Sequence, residues 1–551
     1  MKRALIGLIS ISVAFCLAAW GYADGELGYW QLIYSNAMAG NSAFMKVSPA
    51  DKDSLYVAGV HQHSALGATY GWKSTDGGYS WSPVYQIEMN PNDECSMMEL
   101  MGFILDVKAF DADTALLVGF GVNEECLEEF PEMPLCMFMC MFDMIPKVLY
   151  TTDGGESWEQ IMLGDPGELR FKLPNVVFFI DDQIGFMGGY GILYVTYDSG
   201  LTWAPVEIPE TAKQEEGLGI NGIFAFDHQH IFLATGDPDP DSGKSKSDEE
   251  RFYDMLHKIL FFHDPIYRLN AYLNGDAPRD DGKGINGALY YTSDGGQSWR
   301  ILKSASDESY YQVFFVDENN GWLLAFPAEY TGEYHRIYHT TDGGETWEEQ
   351  TLPSPSEIPG VEVYAAGGMH FFDENTGFII AGGQGTLNYK SVILYTTDGG
   401  ETWQADPFTA SANYPLLHGA FLGRKHGWAV GMNLSCARYF GPNTKPIADA
   451  GPDQTVYVGE EVHLDGTGRY DPDGDPLTYM WSLHSGDPVS MYYSTSESPS
   501  FEDTKKGTLV FELVVSDGED MSEPDQCVVE VVEEGADDDT SSGSVGGCGC
   551  F

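Results

Sequence analysis

The sequence predicts an all-β protein: a seven-bladed β-propeller followed by a small immunoglobulin-like β-sandwich. Three observations carry this reading. The eight-residue pattern Ser/Thr-x-Asp-x-Gly-x-Ser/Thr-Trp recurs six times. Between the copies lies a second motif, an apolar strand, a turn and a strand ending in glycine, which recurs seven times. After residue 445 the character changes to short alternating strands separated by Pro, Gly and Asp turns, the signature of a sandwich.

The chain has 551 residues, more than one ordinary core organises. Its 64 glycines and 28 prolines punctuate its whole length, as many short strands and turns require. It carries 84 acids against 28 bases, a net charge of −56. Such a chain repels nucleic-acid phosphates and anionic lipid, so no nucleic-acid partner is expected. Residues 1–23 read as a signal peptide. Lys2 and Arg3 precede the apolar stretch 4–19, and Gly21 and Ala23 place small residues before Asp24. Phe15 before Cys16 argues against a lipidated cysteine. The expected location is secreted, periplasmic or on the surface of a bacterium, with no membrane span in the mature chain and a monomeric state.

The repeated pattern occupies residues 74–81, 151–158, 196–203, 292–299, 340–347 and 396–403. It fixes Asp76, Asp153, Asp198, Asp294, Asp342 and Asp398, with Trp81, Trp158, Trp203, Trp299, Trp347 and Trp403 five residues on. Successive aspartates are 77, 45, 96, 48 and 56 residues apart, and a period near 45–50 with several strands per repeat signals a propeller. Asp-x-Gly marks a tight turn in which the carboxylate accepts backbone N–H groups, and the Trp packs between neighbouring sheets. The second motif has copies at 45–59, 107–121, 177–188, 223–236, 314–322, 371–382 and 420–431. The segment 29–33 resembles the strand after each box, with Trp30 in place of the box tryptophan, and the last repeat has no box. The N-terminal strand is therefore expected to complete the last blade. The propeller is assigned residues 24–441, with insertions at 88–103, 122–147 and 237–287.

The eight-residue patterns are Asp-boxes, or BNR repeats. With the second motif they resemble the photosystem II assembly and stability factor family and, more distantly, sortilin-type and sialidase propellers. The resemblance covers roughly 28–440 at the level of repeats. It implies fold and says little of function. Residues 445–533, with Tyr470, the run Asp471-Pro472-Asp473-Gly474-Asp475, Trp481 and Asp517-Gly518, resemble a PKD domain. That resemblance implies a spacer or adhesion module. Residues 534–551 read as an acidic, then Gly/Ser/Cys-containing tail without a core.

Candidate functional residues follow from position. If the boxes are the turns between third and fourth strands, all three insertions fall on the opposite face, where binding loops are expected. Cys95, Cys126, Cys136 and Cys140 lie in two of these insertions and read as two disulfides, with the pairing open. Met97, Met98, Met101, Met133, Met137, Met139, Met141 and Met144 share them. Thiolates with thioethers would make a soft-metal site the alternative. Asp237, Asp239 and Asp241, and Asp471, Asp473 and Asp475, are Ca²⁺ candidates, with solvated or turn-forming acids as the plain reading. A helix is expected over 248–262, and Trp72, Tyr253, Tyr267 and Tyr272 are aromatic anchor candidates. Sialidase activity is disfavoured, because the first arginine after the signal is Arg170. The reading is a non-catalytic scaffold that binds an extracellular protein or polysaccharide, the alternative being a glycoside hydrolase with two facing carboxylates.

Overall fold

The computed structural model describes residues 27–36, 42–64, 67–88, 95, 102–130, 140, 143–170, 172–209, 219–236, 285–327, 335–386, 388–411, 414–502 and 505–533. The chain divides into two units, at Pro442 and Asn443. Among the described residues of the first, the strands pair into seven four-stranded antiparallel meanders, here numbered in chain order with strands A to D running outward. The A strands are Ala43–Pro49, Phe103–Ala109, Leu173–Phe179, Gly219–Ala225, Asp307–Phe315, Val363–Phe371 and Leu416–Leu422. Each touches the next, and the last returns to the first, so the A strands form a closed inner ring. The outermost strand of the seventh meander is Tyr29–Tyr34, paired antiparallel with Ser435–Phe440. Trp30 is buried against Phe378, Phe421 and Tyr439, in the role the sequence assigns it.

Each box joins a C strand to a D strand and carries one repeated bond set. The first Ser/Thr hydroxyl donates to the Asp Oδ1 at 2.7–2.8 Å and accepts the N–H of the second glycine at 2.8–3.0 Å. The same Oδ1 accepts the N–H of the second Ser/Thr at 2.8–2.9 Å, and Oδ2 accepts its hydroxyl at 2.5–2.6 Å. The Asp carboxylate and both hydroxyls of the turn are thus used locally. In five boxes the two residues after the Asp are glycines with positive φ, and in the third the first of them is Ser199, at φ 61°.

A further bond docks each box on its own inner hairpin. The N–H of the residue after the box Asp donates to a carbonyl of the A–B turn, from Gly77 to Asp53, Gly154 to Asp113, Ser199 to Gln183, Gly295 to Gln229, Gly343 to Asn319 and Gly399 to Asn375, at 2.8–3.1 Å. Those A–B turns are themselves shaped by a carboxylate. Asp51, Asp111, Asp181, Asp227, Asp317 and Asp373 each accept two N–H groups, two and three residues ahead, at 2.7–2.8 Å. The box tryptophans seal the seams between meanders. Trp158 Nε1 donates to Val84 O and Trp299 Nε1 to Glu207 O, both in the preceding meander. Glycine near the end of the B strand lets backbones approach: a Cβ at Gly119 would collide with the Phe103 carbonyl, and one at Gly431 with the Pro415 carbonyl.

The second unit is a two-sheet sandwich. Gln454–Tyr457, Asp525–Val532, Gly507–Ser516 and Thr478–Ser485 make one sheet, and Val462–His463, Ser500–Phe501 and Met491–Tyr492 the other. Trp481 packs in its core with Phe501, Phe511, Leu513, Val515 and Val529, as expected from the sequence. Cys527 in this core and Cys436 in the seventh meander are free thiols.

The boxes have two measurable consequences for stability. Ser199 holds a left-handed conformation that costs an ordinary residue about 1 kcal/mol. Ser199→Gly is expected to raise stability by up to about 1 kcal/mol, read from the denaturant midpoint. The second concerns acid. The Ser157, Ser298 and Thr346 hydroxyls hold Asp153, Asp294 and Asp342 at about 2, below the ordinary 3.8. A carboxylate depressed in the folded state stabilises fully above its unfolded value and loses that contribution as pH falls through its folded one. The melting temperature of the propeller is expected to fall between pH 4 and pH 2, and the triple Asn variant to show a shallower fall over the same window.

Candidate functional site

The bond from each box to its A–B turn places those two turns on one face. The B–C and D–A connections leave from the other, where the described strands that flank the three insertions end and begin. Residues 237–284, most of 88–103 and much of 131–142 lie outside the described residues. The expected helix at 248–262, the tyrosines 253, 267 and 272, and Asp237, Asp239 and Asp241 fall there.

What is described of the second insertion is knit tightly. Asn123 caps the short helix Glu124–Glu129 by accepting the Glu125 N–H at 3.1 Å, and its Nδ2 donates to Asp143 Oδ2 at 3.1 Å. Asp143 also holds the Arg170 guanidinium at 3.2 Å. Cys126 and Cys140 form a disulfide, and Cys95 is disulfide-bonded too. Cys136 lies outside the described residues. Oxidation overturns the soft-metal alternative for these three sulfurs, because a disulfide offers no thiolate. Met144 is buried in the core below, with Met45, Leu105, Phe120, Val122, Leu173 and Tyr190. The staple therefore sits on a packed apolar base.

Beside the helix opens a cleft of about 240 Å³. Asn123, Glu124, Glu125, Lys147, Gln160 and Met162 line it. Lys147 Nζ reaches Glu124 Oε1 at 3.6 Å, and Met162 is 56% exposed. The cleft thus offers carboxylates, one ammonium and a soft apolar wall. Trp72, expected as an anchor beside this face, is instead 5% exposed in the core between the first and seventh meanders. Its ring packs on Phe44. In an alternating strand its neighbours Lys73 and Gly71 take the other face, so burial of Trp72 follows from the pleat.

Of the Ca²⁺ candidates in the sandwich, Asp471 Oδ1 accepts the N–H groups of Asp473 and Asp475 at 2.8 and 3.0 Å. Asp473, almost fully buried, accepts the Thr444 N–H at 2.6 Å. The Asp471 carboxylate shapes the turn, and that of Asp473 ties the turn to Thr444. Among the described residues no three His, Cys, Asp or Glu side chains converge as metal ligands.

Sequence reasoning missed two charged groups. Glu308, at 1% exposure, takes the Tyr338 hydroxyl at 2.7 Å, Arg336 at 3.3 Å and Lys303 at 3.8 Å. Lys303 also lies 4.0 Å above the Tyr338 ring. The network fastens the D strand of the fourth meander to the fifth. Asp106, on the second A strand, is buried, which raises its pKa. Nearby Lys46 and the N–H groups of Val177 and Val107 offset this. Nothing in the repeat pattern marks either carboxylate, because each is unique to its meander.

A PKD-domain family matches residues 450–531, and the BNR/Asp-box repeat family matches residues 338–349 and 394–405. The chain is a BNR propeller followed by a PKD domain. The propeller is similar to the photosystem II assembly lipoprotein Ycf48 of Synechococcus sp. (strain CC9902), 24% identical over 259 residues, or 47% of this chain and 68% of that protein. It is also similar to Ycf48 of Picosynechococcus sp., 27% identical over 185 residues. There the match spans 32% of this chain and 49% of that protein, about half its length. Among solved structures, YCF48 bound to D1 peptide matches with a TM-score of 0.43 at 16% identity, covering 75% of this chain and 96% of that one.

The staple in the BNR propeller is open to test. Closing a loop of this length contributes about 3 kcal/mol by chain entropy. Cys126→Ser with Cys140→Ser is expected to lower stability by about 2–3 kcal/mol. Thermal melts of the variant and of wild type, with and without reductant, check this. Reductant should shift wild type more.

Proposed function

We propose that this chain is an exported binding scaffold. Its BNR propeller presents the face opposite the Asp-boxes to an extracellular protein partner, and the PKD domain is a spacer or adhesion module. One observation carries the reading. On the box face, turns and boxes spend their polar groups on each other, whereas the opposite face carries a disulfide-stapled loop with a cleft beside it. Long connections held rigid on a scaffold are where recognition is placed. The sequence similarity to assembly lipoproteins favours a protein over a polysaccharide as partner.

The test uses three forms of the full chain: wild type, a loop-face variant Glu124→Lys with Met162→Asp, and a box-face variant Tyr79→Asp. Binding to the native secreted and surface protein fraction is measured beside a glycan array. Protein binding is expected to weaken about tenfold in the loop-face variant and to survive in the box-face one. Loss in the box-face variant alone overturns the choice of face. A saturable glycan signal with no protein binding overturns the choice of partner.

A further inference from the structure

The ring of A strands encloses a lumen, and one irregularity decides what lines it. All seven A strands bulge at the same place, between Phe44 and Lys46, Ile104 and Asp106, Pro174 and Val176, Ile220 and Gly222, Tyr310 and Gln312, Ala366 and Gly368, and Leu416 and His418. Beyond each bulge the alternation restarts in register. The residue after the bulge and the second one beyond it therefore face the lumen. Burial follows this: Lys46, Lys108, Phe224, Gln312 and Phe314 are partly exposed between buried neighbours, and Phe178 is partly exposed too.

At the second level the lumen has two unlike walls. Meanders three to six contribute Phe178, Phe224, Phe314 and His370, a continuous collar with ring centroids 5.4, 5.9 and 5.1 Å apart. Burial among rings lowers the pKa of His370 to about 4, so it is neutral at physiological pH. The second and first meanders contribute Lys108 and Ser48, with Lys46 and Asp106 one level away. Lys108 is unusual in a chain with 84 acids. Its ammonium lies over the Phe110 and Phe179 rings, at 5.5 and 5.9 Å, and makes no ion pair or hydrogen bond with a described residue. Burial lowers its pKa, which Asp182 offsets in part. The ammonium is only partly buried, and Asp182 acts on it without an ion pair or hydrogen bond, so one further anion can approach it.

We propose that the lumen binds a carboxylate-bearing ligand with a flat apolar face, the carboxylate on Lys108 and the face on the collar of Phe178, Phe224 and Phe314. An aryl carboxylate and a uronate ring share this chemistry, a planar or ring-shaped apolar surface beside one carboxylate. The site is independent of the loop-face reading, because no residue of the cleft takes part in it.

Calorimetric titration of the full chain separates the sources. The probes are benzoate and a glucuronate disaccharide, each beside its neutral counterpart, benzamide or cellobiose. One acid is expected to bind saturably, its neutral counterpart about tenfold or more weaker, with Lys108→Met costing a similar factor and Lys108→Arg restoring most of it. Benzoate alone identifies a small aryl acid, and the disaccharide alone an acidic saccharide. Failure of both acids to saturate overturns the proposal, as does a Lys108→Met protein that melts like wild type and binds like it. Should Lys108→Met lose its fold, the acid-to-neutral ratio on wild type decides, and a ratio near one overturns the site.

Discussion

The architecture rests on one strand pair, Tyr29–Tyr34 against Ser435–Phe440. The seventh meander owns three strands of its own, and without Tyr29–Tyr34 the outer edge of its third strand would be unpaired. Without the fourth, Trp428, Phe378 and Phe421 would lose the cover that Trp30 and its neighbours supply. The pairing register, with Trp30 opposite Tyr439, also sets where the last hairpin sits against the first meander. The seam between them is closed by Trp428 Nε1 donating to the Gly77 carbonyl at 2.9 Å.

Within the ring, the boxes work as clasps. A turn of Asp, Gly and Ser would otherwise leave polar backbone exposed at the outer rim of each sheet. Here it is folded back on the inner hairpin, so the inner and outer halves of a meander are tied at one end. That end is uniform from meander to meander, while the other is free to vary. Insertions, a disulfide and a cleft accumulate where no clasp constrains the connections. The seventh meander tests the rule by exception. It has no box, and its A–B turn uses Gly423 at φ 63° where the others use an aspartate.

How much of this was legible depended on repetition. The boxes and inner hairpins could be read because each residue type is demanded by the same bond in several meanders, and Trp30 by analogy with them. The PKD sandwich was legible from Trp481 and its Asp-Pro-Asp-Gly turn. The face of the insertions followed from strand order alone. Groups that occur once were not legible. Glu308 needs Lys303 from one strand and Arg336 and Tyr338 from another, and no spacing announces such a meeting. Trp72 was misplaced because its position near a loop in sequence says nothing of the sheet face it takes. The lumen was hidden for a subtler reason: the bulge shifts the two-residue period midway along each A strand, so an alternation read from one end assigns the wrong side beyond it.

The closing pair also has a temporal meaning. Tyr29–Tyr34 and Ser435–Phe440 are separated by about 400 residues, so the first described strand of the propeller must wait for its last. Until then six meanders can fold on local contacts, each clasped by its own box, while the seventh offers an unsatisfied edge. Such a distant contact is reached slowly. The ring is therefore a late event imposed on early parts, and the clasps let those parts hold their shape during the delay.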